Sequence, residues 1–105
     1  MGIWRVYCYT GKNGKKYIGI TSRSVKQRAE TNGNAYVRED NSKFGRAIEK
    51  YGFDFFTVET LEENLTLDEA REKEKYYINL YDTYYNGYNN TFGGEGRITT
   101  NRELV

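Results

Sequence analysis

From Leu67 to Tyr81 the residues Leu67, Ala70, Tyr77, Ile78 and Tyr81 fall on one side of a helix, and the position completing that stripe between Ala70 and Tyr77 is Glu74. Glu69, Glu72, Lys73 and Lys75 fall elsewhere on the same helix. A charged carboxylate on an inward face costs several kcal/mol unless something neutralises it. Three partners are open for Glu74: an ion pair with Arg28 or Arg71, a proton held by a raised pKa, or a metal ion. No second carboxylate shares the face, which weakens a paired acid and base. A lone carboxylate suits Mg²⁺, which takes one or two carboxylates and completes its octahedron with water and substrate phosphate.

The rest of the composition narrows the chemistry. The 105 residues include no histidine, which excludes Ser/His and Cys/His triads, histidine zinc sites and the commonest general base. The single cysteine, Cys8, cannot form an internal disulfide and reads as a small buried hydrophobe, as expected of an intracellular protein. Catalysis is left to carboxylates, Arg, Lys and the 11 tyrosines. No apolar run is long enough to span a membrane or to act as a signal peptide. The net charge of +1 conceals a basic first half, with eleven Lys/Arg and four Asp/Glu in residues 1–53 against five and eleven in 54–105. A basic half favours a polyanionic partner, although solvated charges that simply balance would look the same.

The elements that must position these groups follow from local patterns. Trp4 to Thr10 and Lys16 to Thr21 are rich in β-branched and aromatic residues and flank Asn13-Gly14, which predicts a hairpin. Ser22 or Ser24 can cap a short helix carrying Arg28 and ending before Gly33. Phe44, Ala47, Ile48 and Tyr51 recur at helical spacing, with Gly52 as the residue past the end. Asp54 to Leu61 reads as a third strand, and Thr66 with Glu69 forms a capping box at the start of the helix that bears Glu74. A tyrosine-rich segment then turns at Asn86-Gly87 and packs back on the sheet. One domain is expected over residues 1–96, with 97–105 as a tail or the stump of a linker.

In this order the motifs resemble the GIY-YIG endonuclease family over about residues 4–96. Tyr17-Ile18-Gly19 matches the second signature intact. Arg5-Val6-Tyr7 matches the first with its tyrosine kept and its glycine replaced. Arg28, the run FGRAIEKYGFDFF from Phe44 to Phe56, Glu74 in EKYYI, Asn89 in NGYN, and Gly93-Gly94-Glu95-Gly96 follow in sequence. The resemblance implies an α+β fold: a small antiparallel three-stranded sheet flanked by helices, presenting Tyr7, Tyr17, Arg28, Glu74 and Asn89 around one shallow cleft. Glu74 would hold one Mg²⁺ or Mn²⁺, and Arg28 would grip the scissile phosphate through its planar fork. Tyr7, or failing it Tyr17, would serve as base, provided that Arg28, the metal and Lys15 or Lys16 lower a phenol pKa from about 10. Asn89 would brace the site. Lys15, Lys16, Gly19 and Arg23 are expected on the substrate side, Gly19 by letting backbone come close.

The function so implied is metal-dependent cleavage of DNA phosphodiesters, like that of phage and homing endonucleases. A catalytically inactive nucleic-acid-binding module of the same fold is the alternative, and an interaction domain built on exposed tyrosines a third. About nine residues follow Gly96, so specificity is expected from a separate DNA-recognition region or a partner chain, or else to be weak. Oligomeric state and biological role are not encoded in these motifs.

Overall fold

The computed structural model describes residues 2–93. The expected boundary at residue 96 and the tail beyond it lie outside the described residues. Strands β1 (Trp4–Gly11) and β2 (Lys16–Thr21) form the hairpin, with Tyr7 opposite Gly19 and Tyr9 opposite Tyr17. The loop is one residue longer than an Asn13-Gly14 turn. The Gly11 N–H donates to the Lys15 carbonyl at 2.9 Å, and Gly14 takes the left-handed conformation that closes a three-residue hairpin loop.

Strand β3 (Phe56–Leu65) pairs with the other side of β1, giving the antiparallel order β2-β1-β3. It starts two residues later than its sequence suggests, because Phe53–Phe55 winds into a 3-10 turn, and it continues through the polar Glu62–Asn64 because Val6 and Trp4 of β1 pair with Glu62 and Leu65. Its register slips between Val6 and Tyr7, a bulge of the kind that re-aims a neighbouring side chain.

Alternation along the strands divides the core into two layers. Tyr7, Tyr9 and Tyr17 face the helices α1 (Val25–Ala29), α2 (Asn34–Val37) and α3 (Lys43–Tyr51); Val6, Cys8 and Ile18 face α4 (Leu67–Tyr81). Helix starts match their signals. Ser24 and Gln27 form a capping box on α1, Ser42 caps α3 by accepting from the Gly45 N–H at 2.9 Å, and Thr66 and Glu69 form the box on α4. Helix α2 has no side-chain cap, and no pattern in the sequence announces it. The chain then closes with α5 (Thr83–Asn86). No helix among the described residues is long and apolar enough to cross a membrane.

Candidate active site

The floor of the site is aromatic. Phe44, fully buried on α3, stacks on the Tyr17 ring at 4.5 Å and an interplanar angle of 9°, and meets Tyr9, Tyr36 and Phe56 at 4.8 to 5.1 Å. Such pairs add about 0.5–1.5 kcal/mol each beyond the area they bury, so the Tyr17 ring is firmly oriented. Tyr7 lies across the backbone of Gly19: a Cβ built there would fall 2.4 Å from the Tyr7 phenol carbon and oxygen. Gly19 therefore makes room for a ring rather than for substrate. Behind both stands Tyr36 of α2, whose hydroxyl shares a 2.6 Å hydrogen bond with that of Tyr7.

Arg28, on the last turn of α1, donates from Nη2 to Glu39 at 2.9 Å, and its guanidinium lies 4.5 Å from the centre of the Tyr36 ring. Burial opposes its charge, but Tyr7, Glu39, Tyr36 and Tyr17 more than restore it, so Arg28 stays cationic. Beside this group opens a cleft of about 250 Å³ lined by Tyr17, Glu39, Asp40, Ser42, Glu74, Asn89, Asn90 and Thr91. Glu74 is half-buried on α4, whose inward stripe is made by Leu67, Ala70, Tyr77 and Ile78; Tyr81 turns outward. Glu74 is not the only carboxylate at this cleft, because the loop after α2 brings Glu39 and Asp40 into its lining. The lining is rich in oxygen and lacks sulfur and imidazole, a donor set suited to a hard divalent cation. No three acidic, histidine or cysteine side chains cluster into a metal cage among the described residues. Any cation held here would leave positions open for water and phosphate.

The phenols do not have the lowered pKa that base chemistry asks of them. Burial pushes Tyr7 well above the ordinary value, with Tyr17 and Tyr36 adding to the shift and Arg28 offsetting part of it. Burial likewise raises Tyr17; Arg28 opposes this, while the charges of Glu39 and Glu74 reinforce it. Lys15 is exposed in the hairpin loop, and the Lys16 ammonium turns away, donating to Thr10 Oγ1 at 3.0 Å and lying 5.3 Å from the Tyr81 ring. Neither lysine supplies the expected field.

Asn89 is buried and makes three hydrogen bonds through its side chain. Its Oδ1 accepts from the Ile18 N–H and from Thr83 Oγ1, both at 2.8 Å, while its Nδ2 donates to the Ile18 carbonyl at 2.8 Å. The amide thus pairs with the free edge of β2 as another strand would. Asn90 ties the same segment to α3 by accepting from the Lys43 N–H at 3.0 Å. Arg23 is exposed one residue before the α1 cap, its guanidinium donating to the Gln27 carbonyl at 2.9 Å. Arg5, which stands where the first signature has glycine, reaches over to donate to the Arg23 carbonyl and so pins the entry to α1. A larger hollow of about 1140 Å³ lies beyond Tyr9, between Val25, Ala29, Phe53 and Phe56, away from these groups.

Tyr36, Glu39, Asp40 and Asn90 are the site residues that sequence patterns missed. Tyr36 and Glu39 sit between two recognisable helices, where no cap or period marks them.

The family model of the GIY-YIG catalytic domain matches residues 3–89. Among solved structures, the catalytic domain of intron endonuclease I-TevI, in a mutant form, superposes with a TM-score of 0.66 at 22% identity, covering 84% of this chain and 93% of that one. No curated protein sequence matches. The three-stranded antiparallel sheet with its flanking helices is thus the fold of that catalytic domain.

Proposed function

The chain belongs to the GIY-YIG catalytic-domain family and is a nuclease domain, and from this premise we propose that it hydrolyses DNA phosphodiesters with one Mg²⁺ or Mn²⁺ held at Glu74. The observation that carries the reading is the convergence of Tyr17 and Glu74 on one oxygen-rich cleft also lined by Glu39, which is ion-paired to Arg28. When bound, the cation supplies positive charge that polarises the scissile phosphate and stabilises the departing 3′-oxygen. Glu39 and Asp40 are further oxygen donors within the same cleft.

Arg28 receives the phosphate. Its guanidinium is already oriented and charged, and a phosphate oxygen takes the position that Glu39 holds in the free protein, which makes phosphate binding an exchange of one anion for another. The charge gained at phosphorus in the transition state then meets a fixed cation in a site half-closed to water. Tyr17 is the phenol that lines the cleft, so we assign it, ahead of the fully buried Tyr7, to hold and turn the attacking water. Tyr7 orients the pair from behind. As a neutral phenol Tyr17 donates and accepts hydrogen bonds. Burial, reinforced by Glu39 and Glu74, raises its pKa, so it takes the water proton only where positive charge beside it outweighs all three. Water adds to phosphorus as the P–O3′ bond breaks, the departing oxygen takes a proton from solvent, and the products are a 5′-phosphate and a 3′-hydroxyl.

Supercoiled plasmid incubated with the purified chain in Mg²⁺, Mn²⁺ or EDTA tests the proposal. Nicking is expected only with metal, and Glu74→Ala is expected to slow it roughly a hundredfold or more. Equal nicking by the mutant removes Glu74 from the reaction. Salt-sensitive DNA binding by a wild type that never nicks would make the chain a binding module instead.

A further inference from the structure

Tyr36 touches three of the residues just assigned to the reaction, yet it has no place in the signatures that led to them. Its ring is fully buried and meets Tyr17 edge-on at 5.5 Å. Its hydroxyl is 2.6 Å from that of Tyr7, and the Arg28 guanidinium lies over its face at 4.5 Å. The backbone around it is built for close approach: a Cβ at Gly45 would fall 2.4 Å from the Tyr36 carbonyl oxygen, so only glycine lets α3 lie this tightly against α2. We propose that Tyr36 is a positioning residue, its ring carrying the Arg28 guanidinium and its hydroxyl fixing the Tyr7 phenol, so that one side chain aims both the phosphate grip and the phenol pair.

Two physical effects support this. A guanidinium that is half-desolvated over an aromatic face is held in orientation, and Tyr36 supplies that face while Glu39 holds the edge. The two buried phenols share one hydrogen bond in which one hydroxyl donates to the other, out of reach of water. Replacing the Tyr36 hydroxyl with hydrogen leaves the Tyr7 phenol without its buried partner and free to rotate. Replacing the ring with an aliphatic chain removes the platform beneath Arg28 as well.

The proposal rests on the nuclease reading for its kinetic arm and is independent of it for its binding arm. In the kinetic arm, Tyr36→Phe is expected to lower kcat on the order of tenfold while leaving KM close to wild type, with a lower melting temperature because a buried phenol loses its partner. The loss should vanish in a Tyr7→Phe background, since the bond is already gone. In the binding arm, affinity for a short duplex is measured in EDTA, where nothing is cut. Tyr36→Leu is expected to weaken binding about three- to tenfold in the wild type and not at all in an Arg28→Ala background, whereas Tyr36→Phe keeps wild-type affinity. Effects that simply add in both cycles would overturn the proposal and leave Tyr36 as ordinary core, and so would a Tyr36→Phe protein that cuts at the wild-type rate. Should the wild type bind DNA but never nick, the nuclease reading fails and the binding cycle alone decides. If Tyr36→Leu does not fold, Tyr36→His takes its place in the same cycle: coupling to Arg28 supports the platform, and simple additivity overturns it.

Discussion

Arg28 is held from two directions, by Glu39 at 2.9 Å at its edge and by Tyr36 beneath its plane. Lysine at this position would keep the charge but lose the planar fork and its fit to an aromatic face. Arg28→Lys is therefore expected to cut kcat/KM by roughly tenfold to a hundredfold, while binding to DNA in EDTA falls much less. Single-turnover nicking beside fluorescence anisotropy separates the two, and equal losses in both would mean that Arg28 only adds charge. Legibility at this scale follows periodicity and motif spacing. Glu74 is marked by an interrupted apolar stripe, and Tyr7, Tyr17 and Arg28 by their spacing. Tyr36 and Glu39 escape because nothing local distinguishes them: a tyrosine after an alanine becomes a platform only when α2, lacking a cap, is folded against α3. The balance of effects on the phenols is not legible in the sequence either. Burial of the rings outweighs one guanidinium that is itself shared with a carboxylate.

Strand β2 serves as a mount with a different task on each side. Its inner face must leave space at Gly19 for the Tyr7 ring, and its free edge must be closed by Asn89. Gly19→Ala puts a methyl group into an occupied space with a buried aromatic behind it, so it is expected to destabilise the fold by about 1–3 kcal/mol and to displace Tyr7. Urea unfolding with an activity assay checks this, and a variant as stable and as active as wild type would show that the ring has somewhere else to go. Helix α4 is joined to β3 through Tyr77, whose hydroxyl donates to Glu62 at 2.8 Å. That bond, with burial, pushes the Tyr77 phenol up to about 12 from an ordinary 10.0. The folded state thus keeps a proton that the unfolded chain gives up. The resulting stability is complete below pH 10 and is lost as the pH rises through about 12. Tyr7, Tyr17 and Tyr36 are shifted in the same direction by burial and steepen that loss. Tyr77→Phe is expected to flatten part of the decline when melting temperature is followed from about pH 9 to 12, and an unchanged slope would deny the bond a role. Most elements are legible because capping and period agree, as in α3 and α4. The start and end of β3 are not, since pairing with β1 carries Glu62–Leu65 into a strand whose apolar pattern ends at Leu61.

Across the whole molecule the charge asymmetry of the sequence divides between elements. The hairpin and α1–α3 come from the half with eleven Lys/Arg and four Asp/Glu; α4 and all of β3 come from the half with five and eleven. Arg28 therefore stands on an element from the basic half, which favours a polyanion. If DNA is drawn to the Arg28 side of the sheet, affinity in EDTA must fall as salt displaces it from the phosphates. With about four phosphate contacts, the slope of log K against log salt is expected to be near −3.6. Individual residues sharpen this expectation. Arg23 and Lys26 are exposed beside Arg28, whereas Lys16 is turned to the α4 side by its bond to Thr10. Arg23→Gln and Lys26→Gln should each make the slope shallower by about one, and Lys16→Gln should leave it unchanged. Anisotropy titrations from about 50 to 200 mM salt distinguish the outcomes. If Lys16→Gln moves the slope and the α1 substitutions do not, DNA lies on the far side of the sheet, and the cleft beside Arg28 is not where the strand is held.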